Sequence, residues 1–242
     1  MFCNIHNLDF EQKEVEMFGK AILFGICPKC QFESERILLE KEKEQSAREF
    51  IGRMENRNIE PLYYSVTLDG FDTSTSELER AKEAVSEIIT SKTGKLVMLG
   101  KNGTGKTHLA VCAVKALGGK ILTMYEISTR IRATYTQRAK EDETDVTGEL
   151  ARLPMLVIDE IGRTKGSEAE ENWLSYIIDK RTSRGLPLIL ISNKHSRKTC
   201  AEKGCKDCIE NYLSEDVMSR LNLDGKMLHF TGDDYRKQQR VK

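Results

Sequence analysis

Apolar and polar residues follow two different regimes along this chain, and the change comes near Pro61. Before it, residues 32–58 are highly charged, with Ile37, Leu38, Leu39, Phe50, Ile51 and Met54 interspersed. That pattern predicts a long, exposed, amphipathic helix. Its apolar positions do not sustain a heptad, which argues against a long coiled coil. A solvated spacer and a partner-binding helix both fit it. After Pro61, helical periods alternate with short, continuous apolar runs. A helix is predicted over 78–90. Runs at 96–99 and 120–124 read as strands, and those at 155–158 and 188–191, short and apolar without alternation, read as buried parallel strands. Helices are predicted at 108–114, 127–135 and 168–184, the last with Trp173, Ile177 and Ile178 on one face and Gly185 at its end. The polar, acidic stretch 140–148 reads as a mobile loop. Strands alternating with helices predict an α/β fold, a parallel sheet covered on both sides. No internal repeat or low-complexity tract interrupts it.

The first of those strands leads into Gly-Lys-Asn-Gly-Thr-Gly-Lys-Thr at residues 100–107. This is a complete G-x-x-x-x-G-K-[ST] phosphate loop in the strand–loop–helix context that the motif requires. Its glycines let backbone N–H groups converge on phosphates, and the following helix N-terminus adds partial positive charge. Gly100, Lys101, Asn102, Gly103, Thr104, Gly105, Lys106, Thr107 and His108 are the candidate ATP/ADP contacts. Lys106 would reach the β- and γ-phosphates, and Thr107 would hold Mg²⁺. A later strand ends in Asp159-Glu160. Asp159 would hold Mg²⁺, and Glu160 would orient or deprotonate the attacking water. The strand at 188–191 runs into Ser192-Asn193. If it neighbours the first strand, Asn193 lies beside the phosphate loop. Taken alone, Ser-Asn after a strand is only a turn signal.

Composition narrows the setting. The 242 residues suffice for one α/β domain and a small appendage. Formal net charge is zero, so any nucleic-acid surface must be a local patch. No apolar run approaches membrane-spanning length, and the first residues lack the features of a signal peptide. A cytoplasmic protein is expected, and its seven cysteines are expected to be thiols or metal ligands. Cys112 lies alone on an apolar helix face and reads as core. The others fall into two groups. Cys3-x-x-His6 and Cys27-Pro28-Lys29-Cys30 form two short-spaced pairs, which suit a structural Zn²⁺ module with no open coordination position. His195, Cys200, Cys205 and Cys208 form a second candidate zinc site. A redox-sensitive thiol cluster, or a site completed by another residue, is the alternative there. The expected organisation is a zinc-binding module at 1–31, a charged helix or linker at 32–60, and an ATPase domain at 61–242 with a cysteine-rich insert at 195–210.

The order of phosphate loop, Asp-Glu strand end, Ser-Asn strand end, Ser219-Arg220-Leu221 and the tail Phe230-Thr231-Gly232-Asp233-Asp234-Tyr235-Arg236 resembles the AAA+ ATPases. Within them it resembles the DnaC-type helicase loaders and the related IstB-type transposition ATPases, over roughly residues 61–236. The stretch Gly105-Lys106-Thr107-His108-Leu109-Ala110 is fairly specific to that branch. The resemblance implies an AAA+ P-loop domain with a parallel five-stranded sheet flanked by helices and a lid that is absent or minimal. It implies Asn193 as sensor 1, Arg220 as an arginine finger reaching a neighbour's ATP, and Arg236 as sensor 2. With Lys106 and Glu160 these make up the candidate catalytic set. It further implies a weak, partner-regulated ATPase that self-associates into an ATP-bridged open ring or hexameric spiral. Its partners would be a replicative DNA helicase, gripped by the N-terminal region, and single-stranded DNA. Arg130, Arg132, Arg138 and Lys140, with Tyr125 and Tyr135, could supply a DNA surface, or form a solvated helix face. A transposition ATPase is the nearest rival. A zinc-dependent interaction module with a nucleotide switch is a rival of another class.

Overall fold

The computed structural model describes residues 1–17, 20–163, 167–202, 205–223 and 225–235. The chain divides into two compact units, Met1–Arg53 and Met54–Lys242. In the first, β1 (Phe2–Cys3) pairs antiparallel with β2 (Leu8–Asp9), and β3 (Lys13–Met17) with β4 (Lys20–Phe24). Helix α1 (Pro28–Asn56) follows. Pro28 stands at its first turn, where the missing N–H costs nothing, so the helix starts before the expected residue 32. The expected amphipathic face is absent. Ile37, Leu38 and Leu39 are consecutive, spread around the helix, and exposed.

The second unit is built on β5 (Lys95–Gly100), β6 (Lys120–Thr123), β7 (Leu156–Asp159), β8 (Leu188–Ser192) and β9 (Gly225–Phe230). They form one sheet of order β6-β7-β8-β5-β9, parallel throughout. The helices are α2 (Ser76–Ser91), α3 (Lys106–Leu117), α4 (Met124–Ala133), α5 (Glu143–Leu150), α6 (Glu168–Ser183) and α7 (Glu215–Leu223). Side chains alternate across the sheet. Val97, Leu99, Leu156, Ile158, Leu188 and Leu190 point into one core with residues of α4, α5, α6 and α7. The intervening Leu96, Met98, Val157, Ile189 and Ile191 are equally buried, and α2 and α3 pack together and against the sheet. Both faces are covered, as the continuous apolar runs predict. Only residues 231–235 follow β9 among those described. No described helix is long and apolar enough to cross a membrane.

The stretch 140–148 is a correction. From Glu143 it is helical, as α5. Asp142 accepts from the Asp145 N–H at 2.8 Å, and the Asp145 carboxylate accepts from the Asp142 N–H at 3.0 Å. This reciprocal cap, with Val146 and Leu150 buried one turn apart, outweighs the local polarity.

Arg181 of α6 is the largest buried cation. Its guanidinium donates to the carbonyls of Leu150 (2.9 Å), Leu153 (2.8 Å) and Pro187 (2.5 Å), and so joins the end of α5 to the approach to β8. Burial pushes its pKa down to about 10, so it remains charged at neutral pH. Arg181→Ala leaves these carbonyls unpaired in the interior. It should lower the unfolding free energy by about 3–5 kcal/mol in urea titrations. A loss below about 1 kcal/mol would show that the carbonyls find other partners.

Candidate functional site

The site sits at the C-terminal edge of the sheet, where parallel strands of an α/β fold present their loops. Beta-strand β5 ends in the phosphate loop, and Gly105, with φ 92°, turns the chain into α3. The left-handed conformation there needs a residue without Cβ, and a Cβ would also collide with the Phe71 ring. Lys106 curls back under the loop, its ammonium donating to the carbonyls of Gly100 (2.6 Å) and Lys101 (2.6 Å) and to the Thr104 hydroxyl (3.3 Å). The loop's shape is thereby held by its own lysine. Beta-strand β8 lies directly beside β5, with Leu99 opposite Ser192, so Asn193 emerges next to the loop. From the next strand out, Asp159 accepts from the Thr107 hydroxyl at 3.0 Å and from the Glu160 N–H at 2.6 Å. Residues 102–108, Asp159, Glu160 and Asn193 line one cleft of about 920 Å³.

Two hard oxygen donors, the Thr107 hydroxyl and the Asp159 carboxylate, meet at the loop's exit. They fit the partial shell that Mg²⁺ takes from a protein before phosphates and water complete it. Burial pushes the Asp159 carboxyl above its usual range, opposed by the Glu160 N–H and Thr107 hydrogen bonds. Glu160 has φ 59°, a left-handed conformation that costs a non-glycine residue about 1–3 kcal/mol. Its carboxylate is gripped by Arg163 at 2.5 Å.

Other residues expected at the site fall elsewhere. His108 also borders the cleft, but its Nε2 meets the Thr67 carbonyl at 3.1 Å and its ring packs edge-on against Phe71. Arg220 is not at its own chain's cleft. It is held between α6 and α7 by Asp179 (2.9 Å), Asp216 (3.1 Å) and the Ser175 hydroxyl (2.8 Å). Arg236 lies outside the described residues. In the basic run, Arg130 is bound to Glu141 (2.9 Å) and Glu149 (2.5 Å), Arg132 to Glu170 (3.0 Å), and Tyr135 to Glu143 (2.5 Å). Arg138, Lys140 and Tyr125 of that set are exposed, with no ion pair among the described residues. Residues to which the motifs gave no role also reach the cleft. Segment 58–66 forms one wall, and Tyr235 donates its N–H to the Gly103 carbonyl at 3.0 Å. The signals were slight: the left-handed Asn58, and Arg163 three residues beyond Glu160.

In the first unit, Cys3, His6, Cys27 and Cys30 converge, with all ligand atoms within 4.8 Å of one another. Cys3 Sγ is 3.6 Å from Cys30 Sγ, and His6 Nδ1 is 3.3 Å from Cys30 Sγ and 3.7 Å from each of Cys3 and Cys27. A tetrahedron of thiolate and imidazole ligands around Zn²⁺ has edges of about 3.3–3.8 Å, so the donor set fits this ion. His6 Nε2, on the far side of the ring, is 3.1 Å from Glu33, a pairing that orients metal-binding histidines.

A parallel sheet of this order, with the phosphate loop after an interior strand next to the edge and the Asp-Glu pair two strands away, defines a P-loop ATP-binding domain of the AAA+ type. The model of the IstB-like ATP binding protein family matches residues 33–242, and the chain belongs to that family. It is similar to the replicative helicase loader DnaC of Escherichia coli, 27% identical over 207 residues that cover 81% of this chain and 80% of that protein. A crystal structure of the DnaC helicase loader superposes with a TM-score of 0.59 at 22% identity, over 71% of this chain and 99% of that one. AMPPCP-bound DnaA from Aquifex aeolicus shares the fold at a TM-score of 0.57 and 19% identity, over 74% and 55% of the two chains.

The raised pKa of Asp159 has a direct consequence for stability. A carboxyl whose folded pKa exceeds its unfolded one destabilises the fold when ionised, and that penalty disappears as pH falls through the folded pKa. Asp159→Asn removes the charge and keeps both hydrogen bonds possible. It should raise the nucleotide-free melting temperature by about 2–4 °C, the shift made by roughly 1 kcal/mol in a chain of this size. The same variant should lose the Mg²⁺-dependent rise that ATP gives the wild type. A lower nucleotide-free melting temperature would contradict the charge argument.

Proposed function

We propose that this chain is a cytoplasmic, ATP-dependent loader of a replicative DNA helicase. Its N-terminal zinc module (1–31) and charged helix bind the helicase, and its AAA+ domain binds single-stranded DNA. The observation that carries this reading is the likeness to DnaC over 81% of the chain, which extends well beyond the motifs shared by all P-loop ATPases. Lys106 binds the β- and γ-phosphates, and Thr107 and Asp159 hold Mg²⁺, which when bound neutralises charge on the phosphate oxygens. Glu160 and Asn193 position the water that attacks the γ-phosphorus, with ADP and phosphate as products. Arg220 serves the nucleotide of a neighbouring copy, and its place outside its own cleft supports that. Arg236 is assigned to sensor 2 on the family's pattern alone. Turnover is weak in the isolated chain because Arg163 holds the Glu160 carboxylate. Exposed Arg138, Lys140 and Tyr125 are what the basic run offers DNA once Arg130 and Arg132 are neutralised. The family match also supports a transposition ATPase, which shares this site and differs in its partner.

Co-purification with replicative helicases, with and without ATP, tests the reading. The intact chain should retain the helicase, and a chain lacking residues 1–31 should not. Retention that survives the deletion would refute the arm, and capture of a transposase in place of any helicase would favour the rival.

Two substitutions test the chemistry. Glu160→Gln should keep ATP binding while turnover falls by about 10²-fold or more. Arg163→Ala should raise unstimulated turnover several-fold, read as phosphate release without DNA or partner. Unchanged turnover in Arg163→Ala would mean that the ion pair does not restrain Glu160.

A further inference from the structure

The insert between β8 and α7 holds a second cluster that the nucleotide site does not use. The ligand atoms of His195, Cys200, Cys205 and Cys208 all lie within 4.8 Å of one another. His195 Nε2 faces Cys205 Sγ at 3.3 Å. The Asp207 N–H donates to that same sulfur at 3.4 Å. The backbone brings the two ends of the insert together. His195 pairs with Cys208 in a parallel bridge, and the Ile209 N–H donates to the His195 carbonyl at 2.8 Å. Lys194 reaches across to Asp207 at 2.6 Å.

We propose that these four residues bind a structural Zn²⁺ ion, and that the ion joins the Asn193 strand end to helix α7 as one stiff unit. Three soft thiolates and an imidazole converging on one point select Zn²⁺ among the common divalent ions. With four protein ligands no position remains for water or substrate, so the ion is structural. The insert has little apolar core of its own. Between residues 197 and 209, the described positions are exposed or half-exposed apart from Cys208 and Ile209, and the regular structure is single 3₁₀ turns. A segment with so small a core acquires a fixed shape through metal ligation.

Placement gives the ion its consequence. His195 stands two residues beyond Asn193, which lines the nucleotide cleft. Ile209, next to the last ligand, is buried in the same core as Val217 and Leu221 of α7, the helix that carries Arg220. The ion therefore ties a residue beside the γ-phosphate position to the residue assigned to a neighbour's nucleotide. That second half rests on the proposed ATPase assembly, whereas metal binding does not.

The test uses the full-length chain, elemental zinc analysis and three variants. The wild type should carry two zinc ions per chain, one for each cluster. Cys200→Ser/Cys205→Ser should carry one, Cys27→Ser/Cys30→Ser should carry one, and the combined variant none. Cys200 and Cys205 are only half-buried, so their replacement spares the core. Far-UV circular dichroism and an ATP affinity within about 3-fold of wild type verify that the insert variant is folded. Replacing zinc by Co²⁺ should give thiolate charge-transfer absorption that falls by about half in each double variant. Two zinc ions in the insert variant, or one in the wild type that vanishes with Cys27→Ser/Cys30→Ser, would leave only a thiol cluster and overturn the assignment. ATP-dependent self-association should drop at least 10-fold in the insert variant. Loss of zinc with unchanged self-association would overturn the coupling and leave the metal site standing. A wild type with two zinc ions that never self-associates would overturn the assembly reading instead.

Discussion

The strand that carries the phosphate loop is gripped on both sides at the point where chemistry begins. Gly100 ends β5 opposite Phe230 of β9, so close to its carbonyl that a Cβ would overlap it. On the other side, Leu99 faces Ser192 of β8. This squeeze fixes where the phosphate loop leaves the sheet. Because every strand runs the same way, Asp159 and Asn193 arrive at that same edge. The loop then takes its form from the Lys106 ammonium, bonded to two of the loop's own carbonyls. Thr107, the next residue, is thereby placed to reach Asp159. The Thr107–Asp159 contact would not survive a slip of β5 against its neighbours, since a one-residue shift reverses every side chain.

Features that a stability-optimised fold would avoid gather at this edge. Asp159 is a half-buried carboxylate whose charge is disfavoured by its surroundings. Glu160 holds a left-handed backbone. The sheet and its two covered faces supply the excess stability that tolerates both. Glu160 could relax by moving away, and the Arg163 ion pair and the Asp159 hydrogen bond oppose that. Strain and restraint act on the same residue, which makes its side-chain direction sensitive to whatever competes for Arg163.

Strands β5, β7 and β8 were legible because burial on both faces leaves an unbroken apolar run, a signal independent of distant context, whereas β9, half-exposed and broken by Lys226 and His229, carries no such run. The phosphate loop and the Asp159-Glu160 pair were legible because their chemistry demands fixed spacing. Helix α5 was not, since its cap is made by Asp142 and Asp145, two residues that raise local polarity and so mimic a loop. The basic run looked available for DNA because its neutralising partners lie far away in sequence: Glu149 for Arg130 and Glu170 for Arg132. Likewise Glu33, behind His6, and segment 58–66, along the cleft, are set by tertiary placement alone. The cysteine pairs were visible by spacing, yet only folding shows that both groups actually converge.

In the proposed assembly, Arg220 must exchange partners. Within one chain its guanidinium is already satisfied by Asp179, Asp216 and Ser175. Those carboxylates are about half to two-thirds exposed, at 49% and 64%, and pairs of that kind contribute only about 0–1 kcal/mol each. A phosphate offers the same planar fork more charge and more acceptor oxygens, in a setting from which water is excluded, where such bonds are roughly twice as strong as neutral ones. The exchange is therefore favourable only when a neighbour brings a nucleotide close enough to exclude water. The carboxylates do not compete strongly, but they hold the arginine in one place between α6 and α7. Pre-orientation of this sort lowers the ordering cost of a contact, so in the proposed assembly the position of α7 would govern how readily one copy acts on the next.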